Sequence, residues 1–270
     1  MKESKENNVN EDLEGQQTLG HLDRMIGVIS EPSAAFSAIS KQGTRHTDWL
    51  IPILLMIIVT VITTITAFSN PEIKAKMMQM QRKTMEEQFE KQIASGQMTR
   101  EEADKIKENA SRFTENPVML IVFPAISTVI VTFIWFFFFA LIGWLVAKNL
   151  LGGTGTFNDA MTALGLPLYI TVISLIIIII ISFASGELAS GVNLLLLTKA
   201  EVTTFSGFIQ SKIDVFAIWF YAVVGIGFAR MFKSDNTLKY VITSLSIWFV
   251  LNLAVYFLAT TVPLFRGFLR

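Results

Sequence analysis

Two pairs of adjacent glutamates and two histidines are the residues of this chain whose types could support acid, base or metal chemistry. Glu86-Glu87 and Glu101-Glu102 would need companion histidines to bind a catalytic metal, and the long apolar segments that follow them contain none. His21 and His46 both precede the first long apolar segment, and no cluster of carboxylates accompanies them. The sequence therefore predicts no metal site.

Other signatures of catalysis are also missing from the sequence. It contains no Gly-x-Ser-x-Gly motif, no phosphate-binding Gly-x-x-x-x-Gly-Lys motif and no cysteine, so it offers no recognisable nucleophile or nucleotide loop. Asp214 is the one ionisable side chain at the mouth of a long apolar segment, and we expect it to face water or to cap its helix. We predict a protein that is not an enzyme and binds no cofactor.

The segregation of charged from apolar residues defines the fold class. Hydrophobic residues make up 52% of the 270 positions, while 22 acidic and 22 basic side chains gather before Trp49, between residues 71 and 115, and in short connections. The balanced charge gives no reason to expect a nucleic-acid partner. We predict an all-α polytopic membrane protein with five transmembrane helices at about 49–68, 118–147, 164–183, 213–229 and 240–262.

Several residues within these segments are candidates for helix packing or partner contact. Gly225 and Ala229 form a small-xxx-small pair that permits close helix approach. Gly152 and Gly153 lie in a tight reversal between the second and third spans, where residues that tolerate positive φ are needed. The remaining candidates are Pro167, which opens the third span, Asn252 in the fifth, and Phe36 before the first.

The first span is unusually polar because it contains four threonines. Their hydroxyls can bond to backbone carbonyls of the same helix, which favours simple packing against neighbours. The alternative is a polar pathway lined by Thr60, Thr63, Thr64 and Asn252, with backbone exposed at Pro124 and Pro167.

The regions outside the spans are two terminal tails, two short amphipathic helices and a charged insert. Residues 1–20 and 263–270 are expected to be tails, the first of them disordered and polar. In residues 21–48, Leu22, Met25, Ile26 and Ile29 recur at helical spacing, and Pro32 opens a second short helix. These amphipathic helices either pad the underside of the bundle or form a foot for the membrane surface or a partner.

The insert, residues 69–116, contains nine basic and nine acidic residues and is predicted to be an aqueous helical hairpin. Thr99 and Glu102 have the spacing of a capping box. The apolar seam of Ala103, Ile106, Ala110 and Phe113 could close on the hairpin itself, pair with a second copy or accept a partner helix. Farther on, the apolar core 194–197 is too short to span and predicts a re-entrant or interfacial helix.

Three short segments and the order of the spans carry a family likeness; the segments are residues 25–36 (MIGVISEPSAAF), 152–157 (GGTGTF) and 164–167 (LGLP). In these features the chain resembles the Ypt-interacting-protein (YIP) family of five-span membrane proteins. Eukaryotic members are implicated in vesicle traffic and contact prenylated small GTPases, and some prokaryotic members accompany ABC exporters. The resemblance supplies no catalytic residues, and the long charged insert departs from the family pattern.

These observations favour a non-enzymatic scaffold or accessory protein that binds other membrane proteins, such as an ABC exporter or a second copy of itself. The alternative is a subunit of an export complex or a carrier for an uncharged or lipid-like solute. We expect an integral protein of a prokaryotic inner membrane with a cytoplasmic amino end, because residues 1–31 lack a signal peptide. Counting basic residues near the spans opposes this orientation, since the insert with nine of them would then lie outside.

Overall fold

The computed structural model describes residues 18–115, 117–186 and 189–261, and the predicted tails lie almost entirely outside these ranges. Within the described ranges the regular elements are helices, accompanied by one isolated bridge between Asn193 and Asp214, which confirms the all-α class. The helices are α1 (His21–Ser30), α2 (Pro32–Gln42), α3 (Thr47–Ser69), α4 (Pro71–Ala94), α5 (Arg100–Glu115), α6 (Pro117–Leu145) with a π-helical turn (Val146–Leu150), α7 (Phe157–Gly165), α8 (Leu168–Ser185), α9 (Leu195–Thr198), α10 (Phe205–Lys212), α11 (Val215–Met231) and α12 (Thr237–Thr261).

Four helical segments of the described chain are long and apolar enough to cross a membrane. They are α3, α6 with its π-helical turn, the stretch Phe157–Ser185 that combines α7 and α8, and α12. α11 is also apolar but has 17 residues, about 25 Å of helix against a hydrocarbon core of about 30 Å. The membrane-protein class is confirmed, and the crossing by α11 remains a prediction.

The third span begins earlier than its predicted start at residue 164 and is broken near its beginning. α7 begins at Phe157 after Thr156, whose hydroxyl accepts a hydrogen bond from Asp159 N–H (3.3 Å). α7 and α8 are separated by Leu166 and Pro167, because proline cannot donate to the preceding turn. Both residues are buried, so the break bends the chain inside the bundle.

Hydrogen bonds between distant residues show which loops share an end of the molecule. Thr154 N–H donates to the Phe232 carbonyl (3.2 Å), and Arg230 Nε donates to the Ser33 hydroxyl (3.0 Å). We call α1 and α2 the foot, and this end the foot end. At the opposite end, the hairpin end, Lys76 Nζ donates to the Gly186 carbonyl (2.8 Å).

Glycines bring the neighbours of α11 close to its backbone. A Cβ atom at Gly225 would lie 2.5 Å from Val241 Cα, so α12 packs against the α11 backbone itself. A Cβ atom at Gly227 would lie 2.9 Å from the Phe36 ring, so the foot also packs directly on α11. α7 and α8 contact the same helix. α11 is therefore the centre of the packing at the foot end.

The hairpin of α4 and α5 extends beyond the spans, from α3 on one side to α6 on the other. Asn70 caps α4 by accepting hydrogen bonds from Glu72 and Ile73 N–H, and Pro71 follows at the first helical position. The predicted capping box forms, since Thr99 N–H donates to Glu102 Oε2 (2.8 Å) and Glu102 N–H donates to Thr99 Oγ1 (3.2 Å).

The apolar seam of the hairpin closes only in part. Ala103 is buried and Lys107 Nζ lies 5.9 Å from the centre of the Phe89 ring, so α4 and α5 touch near the tip. Ile106 is nevertheless 43% exposed, although the seam was predicted to include it. Phe113, the last predicted member, lies among side chains that the structure does not describe.

The predicted re-entrant helix around residues 194–197 is only the single turn α9. Asn193 Oδ1 accepts a hydrogen bond from Leu195 N–H (3.0 Å), and Lys199 adopts a positive φ of 51°, which ends the turn at once. Leu197 is 82% exposed.

Replacing Gly225 with alanine should destabilise the fold more than replacing Gly143. A Cβ at Gly225 meets the Val241 backbone, whereas one at Gly143 meets only the end of the Phe228 side chain. We expect Gly225→Ala to cost about 1–3 kcal/mol, typical of overpacking, and Gly143→Ala to cost less. Thermal unfolding of both variants in detergent measures this. Equal losses would show that the α11–α12 approach is not the tighter constraint.

Candidate functional site

A buried ion pair joins the foot to the start of the first span. Arg24 Nη1 lies 2.6 Å from Asp48 Oδ2, and both side chains are fully buried. The same guanidinium donates to the Gly43 carbonyl from both terminal nitrogens (3.2 Å each), and Arg45 N–H donates to Asp48 Oδ2 (2.8 Å). Asp48 stands in the first turn of α3. One carboxylate therefore fixes α1, the loop after α2 and α3 together.

A second polar contact links α1 to α8. His21 Nε2 and the Tyr169 hydroxyl are 2.6 Å apart, with the two rings in an edge-to-face arrangement. Burial lowers the pKa of His21, and the nearby Arg24 and Arg45 charges lower it further, while Asp48 acts in the opposite direction. The imidazole is therefore neutral at pH 7 and forms an uncharged hydrogen bond with Tyr169.

The sequence pattern did not predict this ion pair. It showed only that Leu22, Met25, Ile26 and Ile29 recur at helical spacing. The structure instead buries Arg24 and Val28, while Leu22 is 61% exposed and Ile26 is 53% exposed. Arg24 and Val28 are four residues apart and share a helix face. That spacing alone does not show that an arginine faces inward.

Most of the predicted packing residues meet around α11, inside the foot end. Phe36 and Ala229 are fully buried, and a Cβ at Gly153 would lie 2.7 Å from both Phe232 Cβ and the Tyr240 hydroxyl. Pro167 is buried and its carbonyl accepts from Ile170 N–H (2.8 Å). Gly152 is exposed, with a φ of 74° that suits the reversal.

An apolar crevice of about 390 Å³ lies between α6 and α12, with α11 as its floor. Its walls include Trp135 and Phe139 of α6, Gly225 and Phe228 of α11, and Ser244 and Trp248 of α12. Among the described residues, none of the side chains that line it is charged. Asn252 also lines the crevice, away from the other predicted packing residues, which lie at the foot end. Its side-chain amide donates a hydrogen bond to the Trp248 carbonyl of its own helix (2.8 Å).

The threonines of α3 do not line this crevice. Thr60 donates to the Met56 carbonyl (2.8 Å), and Thr63 and Thr64 both donate to the Thr60 carbonyl (2.9 and 2.8 Å). Each hydroxyl thus bonds to the backbone of α3 itself, as the packing interpretation predicted.

At the mouth of α11, Asp214 acts as a helix cap. Ala217 N–H donates to its carboxylate (2.9 Å), one of the two roles predicted for it. In the described ranges, no group of three or more His, Asp or Glu side chains is placed to hold a metal ion.

Comparison with models of known protein families identifies the family of this chain. The Yip1 domain model matches residues 26–259, which covers most of the 270-residue chain. The chain belongs to the Yip1 domain family. Neither the curated proteins nor the solved structures contain a match.

The Yip1 domain match includes α2, all the membrane helices and the hairpin insert. It also includes Asp48 of the buried ion pair, whereas Arg24 lies two residues before the match begins. The family resemblance inferred from residues 25–36, 152–157 and 164–167 is confirmed. Those segments form the foot, the reversal and the α7–α8 break, which all lie at the foot end.

Removing the charge of Asp48 should strongly destabilise the Yip1 domain. In Asp48→Asn the buried Arg24 loses its counter-charge, and breaking one side of a buried pair typically costs about 3–5 kcal/mol. Thermal unfolding in detergent measures the loss, and Asp235→Asn, at an exposed site of the same end, is the control. The double variant Arg24→Met/Asp48→Leu should recover much of the stability. Equal melting temperatures for Asp48→Asn and the control would contradict a stabilising role.

Proposed function

We propose that this chain is a non-enzymatic membrane scaffold of the YIP type that binds other membrane proteins through its aqueous hairpin. The observation that carries the proposal is the incompletely closed apolar seam of α4 and α5. Ile106 of the seam is 43% exposed, and Met80, elsewhere on α4, is 47% exposed, in a region otherwise rich in charge. Both residues lie on helices outside the spans, where lipid does not account for exposed apolar side chains.

The construction of the hairpin suits a binding arm. Its charged faces carry the ion pairs Lys105–Glu101 (3.0 Å) and Lys107–Asp104 (3.8 Å), which are largely exposed and contribute little stability. Its base is tied to the end of α8 through Lys76. Because this contact fixes the base of the hairpin, the apolar seam lies at a defined distance from the membrane. We include an ABC exporter subunit and a second copy of this chain among the candidate partners.

The apolar crevice is the one observation that favours the alternative, a carrier for a lipid-like solute. It gives no support to a carrier for polar solutes, because the hydroxyls of Thr60, Thr63 and Thr64 and the amide of Asn252 bond to their own helices. We therefore place the scaffold first and infer that any carried solute would be apolar.

The hairpin proposal predicts that Ile106→Lys loses partners that Asn109→Lys retains. Both variants add one positive charge to an exposed position of α5, but only the first disrupts the exposed seam. Crosslinking in native membranes followed by quantitative mass spectrometry compares the captured proteins. Replacing residues 71–115 with a short Gly-Ser linker should remove the same partners while the spans remain folded, because α3 and α6 contact each other directly. An unchanged set of partners in both hairpin variants would reject the proposal.

We further propose an inner-membrane location with the foot end in the cytoplasm. The exposed residues Lys148, Lys233 and Lys239 lie at the foot end and support this orientation, while the nine basic residues of the insert at the other end count against it. The chain has no native cysteine, so single cysteines at positions 5 and 97 report sidedness directly. A membrane-impermeant maleimide added to intact cells should label position 97 and not position 5. The reverse pattern would invert the proposed topology.

A further inference from the structure

The crevice between α6 and α12 runs along part of both helices. On α12 its lining runs from Tyr240 to Asn252, while the helix extends from Thr237 to Thr261. Twelve residue steps on α12 correspond to about 18 Å of helix, and the run from Val131 to Ala147 on α6 and its π-helical turn corresponds to about 24 Å, against roughly 15 Å for one leaflet of hydrocarbon. The crevice therefore begins at the foot end and extends through at least the leaflet on that side.

The chemistry of the walls selects an uncharged, apolar occupant. Trp135, Phe139 and Phe228 provide large apolar surfaces, and no described side chain that lines the space is charged. Two of its polar residues use their donors inside α12, since Thr243 donates to the Lys239 carbonyl (2.8 Å) and Asn252 donates to the Trp248 carbonyl. The other polar residues of the lining are Thr132, Tyr221, Tyr240 and Ser244, so the walls are mainly apolar with a few hydroxyl groups.

The crevice is narrow along its length. A volume of about 390 Å³ spread over about 18 Å of α12 suits a single hydrocarbon chain better than an α-helix, which with its side chains is about 10–12 Å across.

Two exposed lysines adjoin the foot end of the crevice in sequence. Lys239 directly precedes Tyr240, and Lys148 directly follows Ala147, and both Tyr240 and Ala147 line the crevice. Within the described residues neither lysine forms an ion pair with a carboxylate, and the Lys148 ammonium lies 5.0 Å from the centre of the Trp144 ring. Positive charge at this position complements the phosphate of a lipid whose chain lies in the crevice.

We propose that this crevice binds one acyl chain of a phospholipid from the foot-end leaflet, with the lipid phosphate near Lys239. The site lies where α12 packs closely on α11, while α6 stands farther from α11. Gly225 draws α12 against α11, while the Phe228 ring lies between α11 and Gly143 of α6. The proposal concerns a lipid site and is independent of the hairpin function.

Two serines of α12 provide a matched pair of variants to test it. Ser244 lines the crevice, whereas Ser246 is exposed and absent from the lining. The full chain, reconstituted in phosphatidylcholine vesicles containing phosphatidylglycerol with a photoreactive acyl chain, is irradiated and its peptides are mapped. We expect labelling concentrated in residues 131–147 and 240–252. Ser244→Phe should reduce that labelling to the level of the lipid-facing surface of α3, and Ser246→Phe should leave it unchanged.

Two results would overturn the lipid site. One is labelling of these peptides that is no stronger than on α3 and is insensitive to Ser244→Phe. The other is capture of protein in the crevice, seen as disulfide-linked dimers of Ser244→Cys that Ser246→Cys does not form. If Ser244→Phe melts well below wild type, Leu251→Trp fills the same crevice from a half-exposed position and repeats the test.

Discussion

The Arg24–Asp48 ion pair is the interaction on which the foot end of this structure depends. Removing two charges from water is costly, and the cost is recovered only when both groups are paired and hydrogen-bonded. Asp48 Oδ2 accepts from both Arg24 and the Arg45 backbone, and Arg24 also donates to the Gly43 carbonyl, whereas Arg24 Nε and Asp48 Oδ1 are buried without a hydrogen-bond partner among the described residues. The bonded groups come from three segments. These hydrogen bonds therefore form only when α1, the loop after α2 and the start of α3 are all in place.

Positioning the foot has consequences for the membrane helices. α2 directs Phe36 onto Gly227 of α11, and Ser33 accepts a hydrogen bond from Arg230 at the end of the same helix. α11 in turn holds α12 through Gly225. The foot thus packs as part of the membrane domain, which differs from a surface helix that binds the bilayer through one apolar face. Its exposed residues Leu22 and Ile26 remain available at the outer side.

The sequence predicted the features that depend on composition and on local chain geometry. Long uncharged runs predicted the membrane helices, Thr99 with Glu102 predicted a cap, and the segments 25–36, 152–157 and 164–167 indicated the Yip1 family. Features that depend on tertiary contacts were missed. Arg24 looked like one more charge before the first span, and only the position of Asp48 in three dimensions shows why it faces inward. The crevice was missed for the same reason, because it arises from the unequal spacing of α6 and α12 around α11.

Hydrogen exchange measures most directly whether the foot is a fixed part of the membrane domain. In lipid nanodiscs, backbone amides of residues 21–42 should exchange slowly, at rates comparable to those of α11, because opening them requires separation of the buried ion pair. Amides of the exposed hairpin, residues 71–115, should exchange much faster and serve as the internal reference. Exchange of the foot as fast as that of the hairpin would contradict the account, since it would show that the foot is only loosely attached.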